Sequence, residues 1–121
     1  MAVLLAKALP DVLEEAIQPG IHTVTLVNRS GLLLGCAGDA SRAPAVGAIV
    51  SNIWQCQEKC DGAGPLSCLL VECDEGRLAI RAVGSFVLAC CADCTVPFGM
   101  LMAKSEALHD FLQPPLSQLV T

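Results

Sequence analysis

The sequence predicts an α+β domain in which three helices and five strands follow the order α-β-β-α-β-β-β-α and stack in three layers, helix on sheet on helix. Two observations carry this. The stretch Leu66 to Ala92 holds three apolar runs joined by Asp74-Glu75-Gly76 and Gly84-Ser85, connections so short that neighbouring strands must pair antiparallel. The first and third runs are almost continuously apolar, whereas a sheet with one wet face would alternate, so both faces are expected to be covered. Gly76 is expected at the positive-φ position of a three-residue loop, and Gly84-Ser85 suits a type II′ turn.

Each flanking element has its own signal. Leu5, Leu9, Val12, Leu13, Ala16 and Ile17 share one face of a helix over 5–17, which either starts near Pro10 or bends there, and Pro19-Gly20 ends it. Ile21 to Asn28 reads as a strand rich in Thr and Val, Asn28-Arg29-Ser30-Gly31 as a turn, and Leu32 to Ala37 as the returning strand. Ser41 is a plausible N-cap for a helix from Ala43 to about Lys59. On it Val46, Ile49, Val50, Ile53 and Trp54 span about 140°, wider than the ~100° stripe that packing on one sheet requires, so this helix is expected to touch something further. Trp54 fits either the core or an interface anchor. Arg77 and Arg81 alternate with Leu78, Ile80 and Ala82 and are expected at a rim or snorkelling past a helix. A third helix, Phe98 to Leu112, carries Met100, Ala103, Ala107, Phe111, Leu101, Leu108 and Leu112 as its apolar stripe, and Pro114-Pro115 is expected to stop it.

The totals narrow the function. A chain of 121 residues suits one domain, 1–121, with a single core. Hydrophobic residues make up 54% and charged residues 16%, a surplus that suggests an interface. A net charge of −5 argues against binding a phosphate backbone. The apolar span Ala82 to Met102 is interrupted by Gly84-Ser85, the segment around Asp93, and Pro97, which opposes a membrane-spanning reading. Met1 to Ala6 is too short for a secretory core, so a cytosolic compartment is expected and the eight cysteines read as reduced thiols.

Chemistry finds little support. Cys56-x3-Cys60 with Cys91-x2-Cys94 could form a zinc site, and Cys91 with Cys94 has thioredoxin-type spacing. Neither pair sits in a glycine-rich knuckle or at a helix start, and buried thiols often serve simply as small hydrophobes. Gly31, Gly35 and Gly38 lack the phosphate-loop pattern, His22 and His109 have no ligand at metal spacing, and Glu72, Asp74 and Glu75 read as solvated hairpin carboxylates. A binding module without enzyme activity, metal or cofactor is the expectation.

Three motifs carry a resemblance: Ala48-Ile49-Val50-Ser51-Asn52-Ile53-Trp54, Glu72-Cys73-Asp74-Glu75-Gly76-Arg77-Leu78-Ala79-Ile80, and Phe98-Gly99-Met100-Leu101. Together they resemble the Roadblock/LC-type family, a profilin- and longin-like fold, and within it the Ragulator members; the similarity runs from about Lys7 to the C-terminus. The resemblance implies a five-stranded antiparallel sheet with the second helix on one face and the other two opposite. It implies dimerisation through the third strand and second helix, here Leu66, Cys68, Leu70 and Glu72 with Val46, Ile49, Val50, Ile53 and Trp54. Trp54→Glu is then expected to weaken pairing. Implied partners are a second Roadblock-fold subunit, a lipidated wrapping subunit and Rag GTPases. The implied role is scaffolding of mTOR complex 1 and MAPK signalling, with regulation of guanine-nucleotide exchange, on the cytoplasmic face of late endosomes and lysosomes.

Overall fold

The computed structural model describes residues 9–39, 41–59, 68–74 and 76–116. Helix α1 covers residues 9–14, and Pro10 lies inside it. Its end tightens through the contacts from Glu15 N to Val12 O, Ala16 N to Leu13 O and Ile17 N to Glu14 O, so it stops short of Ile17. Leu5 lies outside the described residues. Then come β1 (Ile21–Asn28), β2 (Leu33–Gly38), α2 (Ala43–Glu58), β3 (Cys68–Cys73), β4 (Gly76–Val83), β5 (Phe86–Ala92) and α3 (Phe98–Leu116), giving the expected order.

All pairings are antiparallel and the sheet order is β2-β1-β5-β4-β3. Strand β5 is central and wholly buried, whereas β3 pairs, among the described residues, only with β4 and stands at an edge. The expectation of two covered faces therefore holds for β5 but not for β3, which is half-buried. Parity divides the sheet cleanly. Val24, Leu26, Ala79, Val83, Phe86, Leu88 and Cys90 pack with Leu9, Leu13, Leu101, Leu108 and Leu112 of α1 and α3. Val27, Ile80, Val87 and Ala89 pack with Val50 and Trp54 of α2 on the other face. The helices are thus distributed as the resemblance implied.

Several local expectations shift for physical reasons. Cys73 pairs directly with Gly76, so the hairpin loop has two residues and Gly76 already belongs to β4. Gly76 is needed for space rather than for positive φ: a Cβ there would lie 2.3 Å from the Ala92 carbonyl oxygen. Gly84 does adopt φ +61°, as the tight β4–β5 turn requires. The N-cap of α2 is Arg42, not Ser41, because the Ser41 hydroxyl donates to Asp39 Oδ1 at 2.6 Å. That bond holds the Asp39 carboxyl below the usual carboxylate range. Helix α3 continues past the Pro114-Pro115 pair to Leu116: proline's φ near −65° is compatible with a helix, although each ring removes an N–H donor and crowds the carbonyl one turn back.

On α3 the expected apolar stripe splits in two. Leu101, Leu108 and Leu112 are buried, while Met100, Ala103, Ala107 and Phe111 are exposed. The stretch Ala82 to Met102 resolves into the end of β4, β5, a turn and the start of α3, and no helix among the described residues is long and apolar enough to cross a membrane.

Candidate interface

The site is a consequence of unequal cover. A five-stranded sheet is about 19 Å wide, four spacings of ~4.8 Å, and a helix with its side chains is only about 10–12 Å across. Two helices cover one face, but α2 alone must cover the other, and it lies over β1, β5 and β2. One flank of α2 is tied to the β1–β2 turn: Gln55 Nε2 donates to the Arg29 carbonyl, and Glu58 meets Arg29 Nη1 at 2.5 Å. The turn itself is closed by Asn28 Oδ1, which accepts from Ser30 N and Leu32 N at 3.0 and 2.9 Å. Those ties hold α2 toward the β2 side, so the opposite half of the sheet is left open.

What lies there is apolar. Val46 and Ile53 of α2 are half-buried, Ile49 is 55% exposed, and beside them Leu78 and Ala82 of β4 and Leu69 and Val71 of β3 are half-buried. This shelf ends at the edge strand β3, whose outer backbone groups face no other strand among the described residues. An apolar shelf continuous with an open strand edge can accept a second strand by hydrogen bonding and a second helix by burial.

The nine residues named from the sequence fall in several places. Val46, Ile49 and Ile53 lie on the shelf, and Leu66 lies outside the described residues. Val50 and Trp54 are corrections: their exposures of 0% and 1% place them under α2 against Val27, Ile80, Val87 and Ala89, so neither is available to a partner. Trp54→Glu would therefore test the core rather than pairing. Cys68, Leu70 and Glu72 do sit on the edge strand, but their side chains share parity with the α3 face, where Leu70 packs against the α1/α3 core. The β3 side chains beside α2 are Leu69 and Val71, which the sequence reading missed because Cys68-Leu69-Leu70-Val71 is apolar throughout and carries no period.

A second apolar surface lies on the other face. Ala107, Leu108 and Phe111 of α3 form a groove with Glu15 and Ala16 at the end of α1, with Lys104 beside it, and Phe111 is 60% exposed.

Burial pushes the Cys91 thiol up to about 12, opposite to what an attacking thiol needs, and Cys94 sits in the turn before α3 with Sγ 3.8 Å from the carbonyls of Cys73 and Asp74. Burial first, then neighbouring Cys91, likewise raises Cys90 to about 12. Cys60 of the possible zinc set lies outside the described residues, and no group of three or more metal-ligating side chains comes together among those described. Two results follow. Exposed Cys73 and Cys94 should react with iodoacetamide in mildly alkaline buffer, while Cys90 and Cys91 should react only in denaturant. Because the folded state holds these two protons more tightly than the unfolded thiols with pKa 9.0, stability should fall as pH rises from 9.0 toward about 12. Peptide mapping and thermal melts across that range check both.

A three-layer α+β module with one sheet face half-covered beside an open edge has a profilin-like fold. The Roadblock/LC7 domain matches residues 11–92, and the chain belongs to that family. It is 30% identical over 118 residues, 94% of each chain, to the Ragulator complex protein LAMTOR2 homolog of Caenorhabditis elegans. The fold is similar to Myxococcus xanthus MglB, with TM-score 0.82 at 19% identity over 96% of this chain and 92% of that one. It is also similar to a Roadblock/LC7 domain from Streptomyces avermitilis, with TM-score 0.79 at 20% identity over 88% and 96%. A more distant likeness is to Acanthamoeba castellanii profilin IA, with TM-score 0.60 at 12% identity over 92% and 98%.

Proposed function

We propose that this chain is a non-enzymatic adaptor that pairs with a second Roadblock-fold protein as part of a Ragulator-like assembly. The observation that carries the reading is the half-exposed shelf of Val46, Ile49, Ile53, Leu69, Val71 and Leu78 running into the open edge of β3. Pairing there would extend the sheet across two subunits and bury a strand edge that otherwise invites aggregation. The relative from C. elegans, named for a Ragulator subunit, supports the assembly proposed. In that assembly the 1–121 unit acts as a single domain, and the α1/α3 groove is a second docking surface, suited to a lipidated subunit that wraps the pair. The pair then supports Rag GTPase recruitment and nucleotide-exchange regulation, amino-acid signalling to mTOR complex 1 and MAPK scaffolding at late endosomes and lysosomes. The chain reaches those membranes peripherally, through its partners.

The test is light scattering of the purified chain alone and after co-expression with Roadblock-fold candidates. A 1:1 complex with one of them supports the reading. A chain that stays monomeric beside every candidate would count against it.

A further inference from the structure

Arg81 is the most unusual charged side chain among the described residues. Its exposure is 9%, and it lies between β4 and α3. Nε donates to Ser105 Oγ at 3.3 Å and Nη2 to the Met102 carbonyl at 3.4 Å, both long and both to neutral acceptors. A guanidinium has five N–H donors, and no carboxylate among the described residues lies within ion-pairing distance of this one. Burying an unpaired charge in this way is strongly unfavourable.

Arg77, on the same face of the same strand, shows the contrast. Its guanidinium meets Glu72 Oε2 at 3.0 Å, donates to the Val96 carbonyl at 2.8 Å and stacks 4.5 Å from the centre of the Phe98 ring. One arginine is supplied with a carboxylate from within the chain; among the described residues the other is not.

The position of Arg81 indicates where its counter-charge comes from. In the β3–β4 register Arg81 stands opposite Cys68, on the edge strand. On α3, Met102 and Ser105 lie on the flank opposite the one facing α1, where Lys104, Ala107 and Phe111 line the groove. Met102 is itself exposed, and α3 reaches β3 along this side. A strand added to β3 would lie about 9.6 Å from β4, two strand spacings. An arginine and a glutamate extended toward one another span that gap.

We infer that Arg81 is the receptor for an acidic side chain of the partner subunit, carried on the α3-side face of the strand that pairs with β3. This inference rests on the pairing proposed above and adds a chemical requirement: the partner presents a carboxylate there. The buried cation then works as a selectivity device, since an apolar residue at that place would leave the charge unpaired in the interface.

The experiment uses the full chain and, as probe, the Roadblock-fold subunit that co-purifies with it, identified by mass spectrometry and expressed separately. Arg81→Met in the chain alone should raise the melting temperature by several degrees, because an unpaired buried charge is replaced by an apolar side chain of similar length. The same variant should weaken binding of the probe at least about tenfold, and Arg81→Lys, which keeps charge but loses the fork, should fall between. A lower melting temperature for Arg81→Met alone would show that the contacts with Ser105 and the Met102 carbonyl already stabilise the charge within this chain, and would overturn the inference. Unchanged affinity for the probe would overturn it too while leaving the pairing itself standing. Failure of the wild-type chain to bind any Roadblock-fold subunit would instead remove the pairing, and this inference with it.

Discussion

Ile49→Glu should weaken association with a second Roadblock-fold subunit while leaving the chain folded. Ile49 stands at the outer flank of α2 and is 55% exposed in the single chain, so glutamate there remains solvated and should change stability by no more than about 0.5 kcal/mol. Once a partner helix covers the shelf, that same carboxylate loses solvent beside the apolar Val46 and Leu78, with Arg42 and Arg77 lining the same hollow as its nearest cations. Even partly compensated by those arginines, a charge desolvated in an interface costs at least about 1.4 kcal/mol, a tenfold or greater loss of affinity. Light scattering and titration calorimetry on the variant, beside a far-UV melt of the chain alone, separate the two effects. A variant that still pairs with unchanged affinity would place the contact elsewhere.

Trp54→Ala should have the opposite profile. Trp54 is 1% exposed and is the largest fully buried side chain among the described residues, wedged between α2 and Val27, Ile80, Val87 and Ala89. Truncating a buried tryptophan costs about 3–5 kcal/mol, a large share of the ~5–15 kcal/mol that holds a domain folded. At roughly 4 °C per kcal/mol for a chain of this size, the melting temperature should fall by more than about 10 °C. Its indole Nε1 has no hydrogen-bond partner among the described residues, so the loss comes from packing alone, with no polar contact to subtract. Binding should weaken only as far as the population of folded chain declines, and low temperature should restore it. If Trp54→Ala instead abolished pairing at unchanged stability, the placement of Trp54 in the core would be wrong.

The two variants lie five positions apart on one helix, yet the sequence could not tell them apart. Ile49, Val50, Ile53 and Trp54 form one broad apolar arc, and breadth indicates that two surfaces are touched without saying which residue touches which. The boundary was set by the ties of Gln55 and Glu58 to Arg29, which pin α2 over the β2 side. Similarly, the α3 stripe was read as one core face, although Met100, Ala103, Ala107 and Phe111 look outward. Arg81 was expected at a rim or snorkelling past a helix but is enclosed, because α3 crosses the sheet directly above it and supplies two neutral acceptors.

The sequence by itself determined the order of the elements, the antiparallel unit from β3 to β5, the place of β3 beside β4 and the family. Short turns and strong periodicity encode those locally, and a dipeptide such as Gly84-Ser85 leaves the chain few alternatives. Only the tertiary structure decided which side of each apolar run is left uncovered. That choice depends on where three helices come to rest on a sheet wider than one of them, a competition between distant parts of the chain that leaves no trace in the spacing of residues along β3 or around α2.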